Sequence, residues 1–144
     1  MKVNPIPEGF HTVTPYFVVS DISEFISYLE NAFNAIPKRQ TKMPDGTIMN
    51  AEIQIGNSMI MVGQANEKWP TQAFGIYLYV EDTDATYKSA LEAGGRSLME
   101  PADMFYGDRN AGVLDPFGNN WWIATHVEDV TDEEIEIRMQ NMQK

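Results

Sequence analysis

The sequence predicts an α+β fold: two βαβββ modules in tandem, related by a pseudo-twofold, with curled mixed sheets enclosing a cleft and a helix at the C-terminal end. The main observation is an internal repeat. Tyr16-Phe17-Val18-Val19-Ser20-Asp21 runs into a helical pattern and recurs as Tyr77-Leu78-Tyr79-Val80-Glu81-Asp82 running into another. Each copy then passes through turn-punctuated strand patterns, marked by Ile55-Gly56-Asn57-Ser58 in the first and Phe117-Gly118-Asn119-Asn120 in the second. Strand patterns outnumber helical ones, which places the chain in the α+β class.

Taken in order, residues 12–19 alternate β-branched and aromatic residues around Pro15, as an edge or bulged strand does. Asp21 with Glu24 forms a capping box that opens a helix over residues 22–34, whose apolar stripe is Ile22, Phe25, Ile26, Leu29 and Phe33. Strands follow over 36–43, 47–55 and 58–64, joined by the turn formers Pro44-Asp45-Gly46 and Gly56-Asn57. Residues 65–73 break the pattern and read as a linker in which Trp69 is placed as a lid or a plug. The second module, about 74–126, repeats the series. It has a strand over 74–80, an Asp82 cap, a helix over 83–93 ended by Gly94-Gly95, strands over 96–100 and 110–114 around a loop at 101–109, and a last strand over 121–126. Thr131 and Glu134 open a terminal helix over 131–143 with a second capping box. The first module spans about 12–64, and residues 1–144 are expected to form one domain, long enough for a core without staples.

Composition narrows the chemistry. With no cysteine there is no disulfide, thiolate zinc site or cysteine nucleophile. The formal net charge of −11 repels phosphate backbones and anionic lipid, which argues against nucleic-acid and membrane-surface roles and suits a cationic ligand. Part of that charge is a local acidic face formed by Glu128, Asp129, Asp132, Glu133, Glu134 and Glu136. No apolar run reaches the ~20 residues that span a bilayer, and a soluble, cytoplasmic protein is expected.

Four further segments carry a family likeness: His11-Thr12-Val13-Thr14-Pro15-Tyr16, Met43-Pro44-Asp45-Gly46, Phe105-Tyr106-Gly107-Asp108-Arg109 and Ile123-Ala124-Thr125-His126. Together with the repeat and the Asp115-Pro116-Phe117-Gly118 turn, the chain resembles the vicinal oxygen chelate superfamily of glyoxalases, bleomycin-resistance proteins and extradiol dioxygenases, and within it the PhnB-like branch. The resemblance covers roughly residues 13–124. It implies a cleft that, in metal-using members, is floored by a divalent ion held by His, Gln or Glu from the first and fourth strands of each copy. Counting from the Asp caps and the Gly-Asn turns places those positions at Thr14, Ile60, Gly75 and Trp122, none a competent ligand. No cofactor is therefore expected, and a divalent metal is not expected at the family position. The other candidate metal set is His11 with His126, joined by Glu128 or Asp129, the alternative being solvent-edge or helix-anchoring histidines.

With strand parity set from Thr14 and Gly75, one sheet face carries Thr14, Tyr16, Val18, Ser58, Ile60 and Val62 from the first copy. The second copy adds Tyr77, Tyr79, Asn120, Trp122 and Ala124. Tyrosines and a tryptophan among small residues make a stacking-capable small-molecule lining, or ordinary core filling. Tyr106 and Arg109 join the ligand-binding candidates, Arg109 gripping a carboxylate with Asp108 orienting it or else closing a loop ion pair. Glu52 and Asp108 are the candidate catalytic carboxylates, and no nucleophile elbow, phosphate loop or zinc helix motif is present.

Three functions follow. One is a metal-independent binding protein of the glyoxalase/bleomycin-resistance type with an aromatic cleft for an aromatic or cationic small molecule. Another is a superfamily enzyme, an isomerase, lyase or dioxygenase, with a displaced metal site or none. The last is a structural dimer without a ligand. A homodimer is expected from the family likeness and from sheet edges left unpaired.

Overall fold

The computed structural model describes residues 2–143. The chain divides into two compact units, Met1–Phe74 and Gly75–Lys144. The first holds β1 (Tyr16–Val19), α1 (Ile22–Phe33), β2 (Ile36–Lys42), β3 (Ile48–Ile55) and β4 (Ser58–Gln64). The second holds β5 (Gly75–Tyr79), α2 (Thr83–Glu92), β6 (Arg96–Asp103), β7 (Asp108–Leu114), β8 (Asn120–His126) and α3 (Asp132–Met142). Two tandem βαβββ modules and a C-terminal helix are thus present.

Each unit contains one mixed sheet, ordered β1-β4-β3-β2 in the first and β5-β8-β7-β6 in the second. The helix crossover makes β1 parallel to β4 and β5 parallel to β8, and the remaining pairs are antiparallel hairpins. The expected curling of these sheets around a cleft is corrected here. Both sheets are open, with β1 and β2, or β5 and β6, as edges. Closure requires the outermost strands to pair with each other, whereas the named ladder of β2 is with β3 alone and that of β6 with β7 alone.

The first unit folds around the α1 stripe. The Asp21 carboxylate accepts from the Glu24 amide at 3.1 Å, and Asn34 ends the helix in the left-handed region at φ 56°. All five predicted stripe residues are buried, and Tyr28 and Ala32 widen the stripe. They pack on Phe17, Val19, Ile53 and Val62, which all point to the helix side of the sheet. Phe17 lies 5.2 Å from Phe25 between ring centroids and 5.1 Å from Phe74. Strand β1 is shorter than expected. Pro15 has no N–H for a ladder, and Thr14 bonds to the His11 carbonyl at 3.3 Å instead of extending the strand.

The second unit docks its helix differently. Only Thr83 and Ala90 of α2 are buried. The Thr83 hydroxyl meets the Arg109 carbonyl at 2.9 Å and the Thr125 hydroxyl at 2.8 Å, fixing the helix start to β7 and β8. The Asp115–Asn119 loop is built around one carboxylate. Asp115 accepts from the amides of Phe117 and Asn119, from the Asn119 side chain and, at 2.9 Å, from the indole N–H of buried Trp121. Thr131 caps α3 through the Glu134 amide, but the Glu134 carboxylate turns to Arg138 rather than back to the cap.

Candidate functional site

In the second unit, one sheet face points at α2 and the other does not. Register fixes the free face: Tyr77 stands beside Trp122, Tyr79 beside Ala124, Asn110 beside Ala124, and Asp108 beside His126. Arg109, one residue on from Asp108, therefore points to the opposite side.

Asp108 is the centre of the free face, with its side chain only 5% exposed. Its Oδ2 accepts from the Tyr77 hydroxyl at 2.7 Å and the Tyr79 hydroxyl at 3.0 Å. Its Oδ1 faces His126 Nδ1 at 2.9 Å, and His126 Nε2 faces Asp129 at 2.7 Å. The Tyr77 proton is engaged by Asp108, so Tyr106, 3.2 Å away, donates to the Tyr77 oxygen. Asn110 Nδ2 in turn donates to Tyr106 at 3.3 Å, while Asn110 Oδ1 is buried with no partner.

Electrostatics follow from that wiring. Burial pushes the Asp108 carboxyl up, but the hydrogen bonds from His126, Tyr77 and Tyr79 outweigh it and hold the group below its ordinary value. Asp129 first, then Asp108, raise His126, favouring an imidazolium that donates from both nitrogens. Burial and the bonds to Tyr106 and Asp108 push the Tyr77 phenol well above its ordinary range, so it stays a neutral donor to the carboxylate.

Aromatic surface surrounds this polar centre. Tyr77 and Tyr79 have ring centroids 5.2 Å apart. The Trp122 indole lies over Gly112, where a Cβ would collide with its ring. Tyr106 is carried on a tight turn at Met104–Gly107, held because Val127 and Glu128 donate to the Gly107 carbonyl and Arg138 donates to the Phe105 carbonyl at 3.1 Å.

In the first unit, Tyr16 is half-exposed on the free face of β1 and its hydroxyl lies over Gly63, where a Cβ would collide with it. The expected placement of Ile60 beside it does not hold. Tyr16 pairs with Met61 and Val18 with Gly63, so Ile60 and Val62 point to α1 and are buried. The two copies differ in loop length. Gly56-Asn57 is a two-residue hairpin between Ile55 and Ser58, whereas Leu114 and Asn120 are joined by the five residues 115–119. Counting from each glycine therefore lands one residue out in the first copy, and one residue exchanges the faces.

Other candidates fall as follows. Arg109 binds Asp84 of α2 through two nitrogens, at 2.8 and 3.0 Å, and Asp103 at 3.1 Å, so its fork is occupied on the helix side and Asp108 does not orient it. Glu52 is half-buried on β3 opposite Met61. His11 lies in the first unit and His126 in the second, and His126 is engaged by Asp108 and Asp129. Among the described residues no group of three or more His, Cys, Asp or Glu is placed to hold a metal ion. At the positions where the resemblance implies metal ligands, the aligned residues are Thr14, Met61, Gly75 and Trp122. One hydroxyl, a thioether, no side chain and an indole do not fit a hard or borderline divalent ion.

The pairing of Asp108 with His126 escapes a sequence reading that starts the strand at Asn110. The signal was the five-residue Asp115–Asn119 loop, because an antiparallel register closed by Leu114 and Asn120 brings residues 108 and 126 opposite each other.

The model of the Glyoxalase/Bleomycin resistance protein/Dioxygenase superfamily matches residues 9–123. An uncharacterized protein of Mycobacterium bovis is 30% identical over 96% of this chain and 96% of its own length. Among solved structures, TioX from Micromonospora sp. ML1 superposes with a TM-score of 0.71 at 20% identity, covering 81% of this chain and 99% of that one. A family enzyme from Burkholderia phytofirmans PsJN gives 0.65 at 17% identity, covering 78% and 95%. With the repeated βαβββ connectivity, the extent of the family match leaves one conclusion: the chain belongs to the glyoxalase/bleomycin resistance protein/dioxygenase superfamily.

Proposed function

We propose that this protein is a metal-independent small-molecule-binding member of the superfamily, and that the aromatic face around Asp108 takes a cationic, hydrogen-bond-donating ligand. One observation carries the reading. The hydroxyl protons of Tyr77, Tyr79 and Tyr106 all run toward Asp108, and the Tyr77 and Tyr106 oxygens already accept from Tyr106 and Asn110, so the cluster offers a ligand the Tyr79 oxygen as acceptor and the exposed rings of Tyr77 and Tyr79. A protonated amine on an aromatic body matches both, through a hydrogen bond to the Tyr79 hydroxyl and cation–π contact with the rings. The net charge of −11 favours its approach. The absence of hard donors at the implied metal positions supports binding without a divalent ion. The four motifs at residues 11–16, 43–46, 105–109 and 123–126 support a place in the PhnB-like branch. Open sheet edges, including β5 with its exposed Tyr77 and Tyr79, support a homodimer. No described helix is long and apolar enough to cross a membrane, in keeping with a cytoplasmic role.

The test uses chelator-treated protein titrated with benzylammonium, and with benzyl alcohol as the uncharged counterpart. Benzylammonium should shift the Trp122 indole resonance saturably and raise the melting temperature. Both effects should weaken in Asp108→Asn, and the rise in melting temperature should weaken in Trp122→Phe. Equal binding of benzyl alcohol, or binding that requires an added divalent ion, overturns the reading.

A further inference from the structure

The first unit contains a hollow of about 570 Å³, within the size range of small-molecule sites. Its aromatic members are Tyr16 and Trp69, and its polar members are the four amides Asn50, Gln64, Asn66 and Gln72. No charged side chain lines it. In a protein with 21 acidic residues that neutrality distinguishes it from the Asp108 face.

The walls are held in place before any ligand arrives. Tyr16 lies across Gly63, the residue whose missing side chain makes room for the phenol. Trp69 is 62% exposed, yet its loop is closed by three bonds of 2.9 Å: the Asn66 side chain accepts from the amides of Lys68 and Trp69, and the Asn66 amide donates to the Trp69 carbonyl. The linker is tied to the β1 edge, with the Ala65 amide on the Val19 carbonyl at 2.8 Å and Gln72 bridging to Val18. The Lys68 ammonium lies 5.6 Å from the Trp69 ring centroid and is not part of the lining, so the ring face that lines the hollow is the stacking surface.

We infer that this hollow, which shares no lining residue with the Asp108 face, is a second binding site, for an uncharged planar heteroaromatic molecule carrying a lactam or amidine edge. Carboxamides offer a donor and an acceptor in one plane and pair bidentately with such edges; Asn50 and Gln72 carry that role here, since Gln64 Nε2 donates to the Ser20 carbonyl at 2.7 Å and Asn66 Oδ1 accepts within its own loop. Trp69 and Tyr16 supply the stacking faces. An ionised ligand would lose water against a lining without charged side chains, and an anionic one would meet the acidic field of the chain, offset in part by the Lys68 ammonium 5.6 Å from the Trp69 ring centroid.

Adenosine and lumichrome serve as uncharged probes and AMP as the charged counterpart, followed through the Trp69 indole N–H resonance, assigned with Trp69→Phe. At least one uncharged probe should shift that resonance saturably, and AMP should bind at least about tenfold more weakly than adenosine. Read by equilibrium dialysis of the probe, because the reporter resonance is lost with the residue, Trp69→Ala should weaken binding about tenfold or more, the loss expected on removing one stacking aromatic. Gln72→Ala, which leaves the backbone bridge to Val18 in place, should weaken it less. The inference fails if neither uncharged probe saturates, if AMP binds as tightly as adenosine, or if Trp69→Ala binds like the parent protein.

Discussion

The two units share one connectivity and hold their helices by different means. In the first, α1 buries seven residues against the sheet, two phenylalanines and a tyrosine among them. In the second, α2 buries Thr83 and Ala90 and is secured by threonine hydroxyls and by the Arg109–Asp84 fork. Apolar burial stabilises in proportion to area, whereas a part-exposed ion pair contributes little beyond fixing geometry. A duplicated topology therefore does not require duplicated chemistry. The free faces diverge as well, one rimmed by neutral amides and the other centred on a carboxylate and a histidine.

The strongest way to break this comparison is to truncate each helix's anchor. Phe25→Ala should destabilise the protein by about 3–5 kcal/mol in urea unfolding, as buried aromatic deletions do. Asp84→Ala in α2 should cost below about 1 kcal/mol. Similar losses in the two variants would show that α2 relies on its ion pair as α1 relies on its core. Next in size is Asp108→Asn, which removes the charged acceptor of three side-chain bonds and should cost about 2 kcal/mol. Gly112→Ala should follow at about 1–2 kcal/mol, because the new methyl displaces the Trp122 ring from the sheet. A Trp122 indole resonance unchanged in that variant would show that the ring does not rest there.

The smallest effect is a pH dependence confined to the second unit's face. His126 is raised above its ordinary value of 6.5, so its contribution is fully present below that pH and disappears as pH rises through the folded value. Asp108 is lowered from 3.8, so its contribution is present above that pH and disappears as pH falls through the folded value. The melting temperature should therefore fall between neutral and alkaline pH in the parent protein and change less in His126→Gln. An identical pH profile in the variant would remove His126 from the network.

Much of the molecule is legible from local pattern. Asp21 and Asp82 cap helices because a short carboxylate reaches the third amide of whichever helix follows it, and Asn34 and Gly94 end them for equally local reasons. The α1 stripe is readable because a 3.6-residue period needs no knowledge of the partner sheet. The repeat at 16–21 and 77–82 is readable because it is written in consecutive residues.

Long-range choices are different in kind. Met61 rather than Ile60 faces outward because a parallel partner is set across an intervening helix and two hairpins, and loop length shifts parity by one. Arg109 could meet Asp108, Asp103 or Asp84 as far as spacing tells, and only the strand's pleat selects the helix side. Sheet openness likewise depends on which strands end up outermost. By itself the sequence determined the repeated βαβββ order, the caps and the first helix's buried stripe, since each depends on neighbours along the chain. The tertiary structure decided the outward residues, the gathering of Tyr77, Tyr79, Tyr106 and His126 on Asp108, and the neutral hollow at Trp69, because those depend on register between strands far apart in sequence.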